Sequence, residues 1–372
     1  MVTRAGFIFS FRYNHAHMVE KARKAPLFTR GWVLQEQVLS PRSLLISRYE
    51  ISWRCLCERS FEIDPGCNTW TDLDVDNFKV DHNDCGQQLR SSLYSRTPRL
   101  DSTLLGWYNM VEAYSEMQLT KRSDIIPAIS GIAALVSEQH GLTFVAGLWK
   151  EDMARGLLWR VDGYFTEPDE DVAWTTIELF DGHPLPETVS KGGIDTQQSK
   201  TKILFPSWSW LWKVHRKGIK YDPLYQFSEM NESIDLKVLD ARLFSLKNNT
   251  NPHTQQTLAL RIRAHTREAI VHGFSGLVDS RDDTQDTAPI GSFQRDLWGA
   301  LPAGSTIRCV LCAVFKEEET GAYSSHCIGV TPAPGERGVF VRVGYVCIKD
   351  HGKFFGDICQ LQKHDMEELE LI

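Results

Sequence analysis

Long apolar runs are missing from this sequence. No window of its 372 residues approaches the ~20 consecutive apolar residues that a helix needs to cross a bilayer, which excludes a helical membrane span. The start carries no apolar core followed by a small-residue cleavage site, so a cytoplasmic protein is expected rather than a secreted one. The phosphate-loop string G-x-x-x-x-G-K-[ST], the nucleophile elbow G-x-S-x-G, the zinc helix H-E-x-x-H and Gly-x-Gly strings at dinucleotide spacing are all absent. So are internal repeats and heptads. Basic residues are outnumbered, 41 to 48, giving a net charge of -7. That balance argues against a general nucleic-acid or anionic-membrane partner, because both attract basic surfaces.

What is present is globular. Apolar residues make up 42% of the chain, with 11 Trp and 18 Phe, and the length suits two or three domains. The first stretch, 1–28, reads as a basic leader: Arg4, Arg12, Lys21, Arg23 and Lys24 stand against Glu20, a balance that a weak mitochondrial presequence shares. Nine cysteines, an odd number in a long chain, point to reduced and mostly buried thiols.

Gly31 opens and Pro41 closes a short helical stretch. Leu44 and Ile46, then Ile51, Trp53 and Cys55, alternate as in a β-hairpin. Residues 58–100 are polar and turn-rich, a loop-rich excursion. A helical region over 101–161 follows. Asp101 or Ser102 caps a helix carrying Trp107, Met110, Val111, Tyr114 and Met117. A second helix follows Ser123, with Pro127 in its first turn, Ile125, Ile129, Ile132, Ala133 and Val136 on one face, and Gly141 as its stop. A third runs near 149–160. Residues 162–202 read as a linker. A β-rich region spans 203–363, opening with Trp208, Trp210 and Trp212 at strand spacing, and an acidic tail over 364–372 is expected to form a short helix.

Several blocks resemble, in order, the fungal heterokaryon-incompatibility (HET) family. Arg30-Gly31-Trp32 with Gln35-Glu36 and Leu39-Ser40-Pro41-Arg42 is similar to its RGW-x-x-QE…LSPR block. Trp107 to Thr120 and Asp124 to Ala133 resemble its W…YS…LT…D-x-x-PA-x-SGIA stretch. Ala146-Gly147-Leu148-Trp149 with Leu158-Trp159, then Pro206 to Trp210, and more weakly Arg342-Val343-Gly344, resemble later blocks. The resemblance runs over about 29–221, with echoes to 348. It implies self/non-self recognition, vegetative incompatibility and programmed cell death, with other HET-type or recognition proteins as partners. It also implies a TIR-like α/β fold for a full HET domain. The LSYCWG-like and WIDALCINQ-like motifs that precede these blocks in the family are not in the sequence. The expectation is therefore an α+β chain: a partial HET remnant over 29–57, a helical middle and a β-rich C-terminal region, acting as a non-catalytic interaction or regulatory form without a cofactor.

The best catalytic candidate is Glu36, with Trp32 lining the site. They lie four apart on one helical face, and TIR-type enzymes that cleave NAD use a similar W-x-x-x-E helix. An oxocarbenium-like centre calls for a nearby carboxylate. On this alternative the chain processes NAD once a partner or a missing exon completes the nucleotide pocket. The competing reading pairs Glu36 with Arg30 or Arg42. Cys55, Cys57, Cys67, Cys85 and His82 fit no common zinc spacing, so no metal is expected. Cys309 and Cys312 form a C-x-x-C inside an apolar run and read as core. The Trp208, Trp210 and Trp212 ladder also reads as core, against a stacking platform.

Overall fold

The computed structural model describes residues 2–4, 7–9, 26–46, 48, 51–56, 59–62, 85–162, 202–212, 218–221, 236–246, 255–273, 275–280, 289–296, 301–316, 321–356 and 365–372. The chain divides into two compact units, one of residues 1–120 and 124–140, the other of 121–123 and 141–372. Its class is α+β, and each unit has its own character.

In the first unit, β1 (Val2–Arg4) and β2 (Phe7–Phe9) pair within the stretch expected as a leader. Helix α1 (Gly31–Leu39) then leads into a three-stranded antiparallel sheet, β3 (Ser43–Ile46), β4 (Ile51–Arg54) and β5 (Arg59–Phe61), in the order β3-β4-β5. Helices α2 (Cys85–Leu93), α3 (Leu100–Glu116) and α4 (Pro127–His140) complete the unit. The expected excursion over 58–100 thus contains a third strand and a helix. Helix α3 starts one turn's edge earlier than Asp101 or Ser102 would cap it: Arg99 is its N-cap, with no side-chain cap bond, and Asp101 lies in the first turn, where a carboxylate suits the helix dipole. Helix α4 begins at Pro127 and stops before Gly141, whose φ of 68° ends it.

A helix leaves its last carbonyls without intrahelical partners. Around the end of α1 those groups are met by side chains from later elements. Arg54 donates to the Gln37 carbonyl at 3.1 Å, Tyr94 to Leu39 at 2.8 Å, and Arg90 to Ser40 at 3.0 Å and Pro41 at 2.8 Å. Arg90 also reaches the Cys55 carbonyl at 3.3 Å. It is buried, burial pushes its pKa below the ordinary value, and cations at a helix C-terminus oppose that cost.

The second unit opens with the hairpin β6 (Phe144–Val145) and β7 (Leu148–Trp149), a single helical turn α5 (Met153–Gly156), and β8 (Trp159–Val161). The third helix expected near 149–160 is therefore not formed. Ala146 and Gly147 both have positive φ, 46° and 88°, the signature of a two-residue turn that folds the chain back on itself. Strands β9 (Lys202–Leu204) and β10 (Ile219–Tyr221) follow, the latter pairing with β8. Residues 163–201 of the expected linker lie outside the described residues.

Next come β11 (Lys237–Leu246), β12 (Gln255–Ala264), β13 (Thr266–His272), β14 (Gly276–Asp279), β15 (Gly291–Arg295), β16 (Thr306–Lys316), β17 (Tyr323–Pro332) and β18 (Val339–Ile348), then the short helix α6 (His351–Phe355) and β19 (Glu367–Leu371). Six of these close into an antiparallel barrel, in the circuit β13-β14-β15-β18-β17-β16 and back to β13. Its core holds Val271, Leu277, Phe293, Ile307, Leu311 and Val346, and α6 adds Phe354 to it. A barrel of this size is filled by side chains rather than left hollow. Beyond β18, strands β19, β12 and β11 extend the sheet, with β9 pairing along β12.

Two further expectations are corrected. The acidic tail is β19, not a helix. Its alternation sends Leu369 and Leu371 into the core while Glu368 pairs with Arg261 at 3.0 Å and with Arg263, and Glu370 pairs with Arg242 at 2.6 Å. The Trp208-Trp210-Trp212 run is a turn ending in a 3-10 helix over Trp210–Trp212, not a strand. Each indole N–H reaches a different carbonyl, that of Leu258 at 3.3 Å, Gly147 at 2.9 Å and Ser207 at 2.9 Å respectively, and a straight strand cannot aim them so. The core reading of the run agrees with the structure for Trp208 and Trp210, which are fully buried.

Candidate functional site

Trp32 and Glu36 project from α1 on its exposed side, as their spacing requires. The Trp32 indole N–H donates to the Asp124 carboxylate at 3.0 Å, and the ring is 37% exposed. Glu36 is exposed, and among the described residues its carboxylate forms no ion pair with Arg30, Arg42 or any other side chain. The pairing alternative is thus not formed, and the carboxylate is open to solvent. Between them, Gln35 turns inward: with its amide nitrogen facing α4 it donates to the carbonyls of Pro127 at 3.2 Å and Ala128 at 3.0 Å.

The blocks that carry the family resemblance fasten to one another within each unit. Gly31 sits where a Cβ would lie 2.7 Å from the tip of the Leu119 side chain and 3.1 Å from the Tyr114 ring, so glycine lets α1 start against these side chains without displacing them. The Gly31 N–H donates to Gln118 at 2.9 Å, and Tyr114 donates to the Ile125 carbonyl at 2.7 Å. In the second unit, the Ala146-Gly147 turn is held from the other side: Ser209 donates to the Ala146 carbonyl at 2.6 Å, and Trp210 donates to that of Gly147.

Arg342 is the hub of the second unit and is wholly buried. It donates to Asp296 at 2.9 Å, to the Leu157 carbonyl at 2.6 Å and to the Trp159 carbonyl, and its guanidinium lies 3.5 Å from the centre of the Trp159 ring. Its backbone N–H donates to Ser207 at 2.9 Å, and Ser207 donates onward to the Ile372 carbonyl. Burial pushes the arginine's pKa down, and Asp296 opposes that shift, so the cation persists. The sequence offered only a three-residue string here.

The β3–β4 sheet carries a feature that reading by periodicity missed. Leu44 pairs with Trp53 and Ile46 with Ile51 across the strands, and all four face outward. Their exposures are 58%, 38%, 71% and 40%. The inward face is the more polar one: beside half-buried Leu45 it carries buried Ser52, and Arg54, which bonds to Ser43 and to the end of α1. A sheet covered on one face normally buries its apolar side. Here the covered side meets helix carbonyls that demand donors, so the apolar side is left in water. The alternation in the sequence was legible, but which side faces the helix was not.

Among the described residues of the second unit, the buried thiols of Cys309, Cys312 and Cys327 and the buried imidazole of His326 are packing groups. Burial pushes Cys309 and Cys312 up to about 12 and Cys327 well above the usual thiol range, the reverse of what redox chemistry needs. Cys57, Cys67 and His82 lie outside the described residues, while Cys55 is half-buried. His326 is buried between Phe315, Tyr345 and Ser324, its ring nitrogens within hydrogen-bond reach of the two hydroxyls. Burial pushes its pKa from 6.5 down to about 4. Between those values the unfolded chain binds a proton that the folded one refuses. The stability that neutral His326 contributes is therefore complete above pH 6.5 and is lost as the pH falls toward 4. The loss expected is on the order of 3 kcal/mol. Urea unfolding at pH 7 and pH 4.5, on wild type and on His326→Gln, measures it: the variant should lose less.

No family model matches the chain, and no curated protein and no solved structure matches it either.

Proposed function

We propose that the chain is a HET-family protein of fungal self/non-self recognition, linked to vegetative incompatibility and programmed cell death, and that it works as a non-catalytic interaction or regulatory form. The observation that carries this reading is that the blocks resembling the family pack on one another inside each unit: Gly31 against Leu119 and Gln35 on the first turn of α4 in the first, the Ala146-Gly147 turn under Ser209 and Trp210 in the second. A remnant of the HET α/β fold over 29–57 belongs to the same reading. So do other HET-type or recognition proteins as partners, and a cytoplasmic location. Purified protein incubated with NAD should release no nicotinamide at any protein concentration. Robust release would overturn the proposal.

A second reading has one observation of its own. The Glu36 carboxylate is unpaired and open to solvent, four residues from Trp32, where a TIR-like NAD-processing effector would need it once a partner supplied the rest of the pocket. Glu36→Ala at matched protein levels should abolish NAD depletion and killing on this reading, and should leave both unchanged on the first.

A further inference from the structure

We propose that the outer edge of β3 is a docking site for an extended segment of another protein, one with apolar side chains on one face and carboxylates at both of its ends. The inference rests on the recognition reading above and supplies the chemistry of its partner. Three observations carry it.

First, β3 is an edge strand of its sheet among the described residues, so the backbone groups on its outer side have no partner strand. An open edge is a template for strand addition, in which main-chain hydrogen bonds give affinity and alternate side chains give selectivity. Second, exposure rises toward that edge. Ile51 and Trp53 on the inner strand are 40% and 38% exposed, while Leu44 and Ile46 on the edge strand reach 58% and 71%. An added strand would bring its own apolar residues beside Leu44 and Ile46 and continue the outward face. Third, exposed Arg42 and Arg48 bracket β3 at its two ends, and neither has an ion-pair partner among the described residues. Native edge strands are commonly blunted by charge pointing inward, by proline or by a bulge. Here the charges stand beyond the strand ends instead, leaving the ladder itself open.

The charge pattern selects among occupants. A second copy added antiparallel along β3 would set Arg42 of one chain near Arg48 of the other, a like-charge contact at both ends. A lipid surface would welcome the arginines and the apolar side chains but cannot satisfy a row of backbone donors and acceptors in register. An acid-ended strand answers all three features.

The test uses the full chain and a labelled synthetic peptide of alternating valine and threonine with glutamates at each end, beside a counterpart with lysines at the ends. Fluorescence anisotropy should show the glutamate peptide binding at least about tenfold tighter than the lysine peptide. The double variant Arg42→Glu, Arg48→Glu should exchange that order, and Ile46→Asp should weaken both. These positions are exposed, so circular dichroism should show an unchanged fold. Equal binding of the two peptides, or no binding of either, would overturn the inference. So would a wild-type dimer in sedimentation that Ile46→Asp dissolves, or co-sedimentation with phosphatidylserine vesicles that Ile46→Asp abolishes. Failure here with the cell-death phenotype intact would remove the docking edge and leave the recognition reading standing.

Discussion

Asp296→Ala should lower the stability of the second unit by about 3–5 kcal/mol, read as a fall in the urea midpoint at pH 7. The size follows from what is left behind. Arg342 and Asp296 are both fully out of water, with side-chain exposures of 0% and 1%, and their contact is 2.9 Å. Removing the carboxylate strands a cation that cannot shed its proton. Asp296→Asn should cost less, because the amide oxygen still accepts from the guanidinium. Replacing both partners with apolar residues often restores a buried pair's stability. In this unit the recovery should be incomplete, since Arg342 also satisfies the carbonyls of Leu157 and Trp159, and an apolar side chain leaves them without those donors.

Gly344→Ala should destabilise the same unit by about 3 kcal/mol, the upper part of the range for overpacked cores. Gly344 pairs with Arg295 across β15 and β18. A Cβ there would fall 2.5 Å from the Phe293 ring and closer still to the Gln294 carbonyl, with the Arg295 Cα at 3.1 Å. Most of that obstruction is backbone, and backbone in a closed barrel cannot step aside without parting the ladder. Thermal unfolding of the variant, beside Gly352→Ala, where φ is not positive and a Cβ meets nothing nearer than Asp350 at 3.6 Å, separates this steric cost from the general effect of adding a methyl group.

Much of the first unit could be read before any coordinates. Gly31 and Pro41 bracket α1, Pro127 and Gly141 bracket α4, and the alternation from Leu44 to Trp53 gives a hairpin, because each signal is local and physical. The failures have a common cause. Trp149 and Trp159 fit a helical spacing, yet the Ala146-Gly147 turn and the pairing of Trp159 with Tyr221 make them strand residues. The tryptophans at 208, 210 and 212 fit a strand, yet their N–H groups are claimed by carbonyls of Leu258, Gly147 and Ser207. Glu367–Leu371 looked like a charged helix because the arginines that match it lie far earlier in the chain, Arg242, Arg261 and Arg263 on β11 and β12 and Arg308 on β16. Period is written in a short window, and partners are not.

The candidate site divides along the same line. Trp32 and Glu36 share a helix face because four residues make about one turn. The bond from Trp32 to Asp124 spans 92 positions and was out of reach of spacing arguments. The outward turn of Leu44, Ile46, Ile51 and Trp53 depends on Arg54 and Arg90 being spent on the end of α1, which also could not be seen from the alternation alone.

Recognition through the β3 edge and catalysis through Glu36 make opposite demands on two exposed side chains, neither of which holds the fold. The most direct test expresses wild type, Ile46→Asp and Glu36→Ala at equal levels in fungal cells of incompatible types and scores the death reaction. Loss of the reaction with Ile46→Asp and its retention with Glu36→Ala is the predicted result; retention with Ile46→Asp and loss with Glu36→Ala would contradict the account.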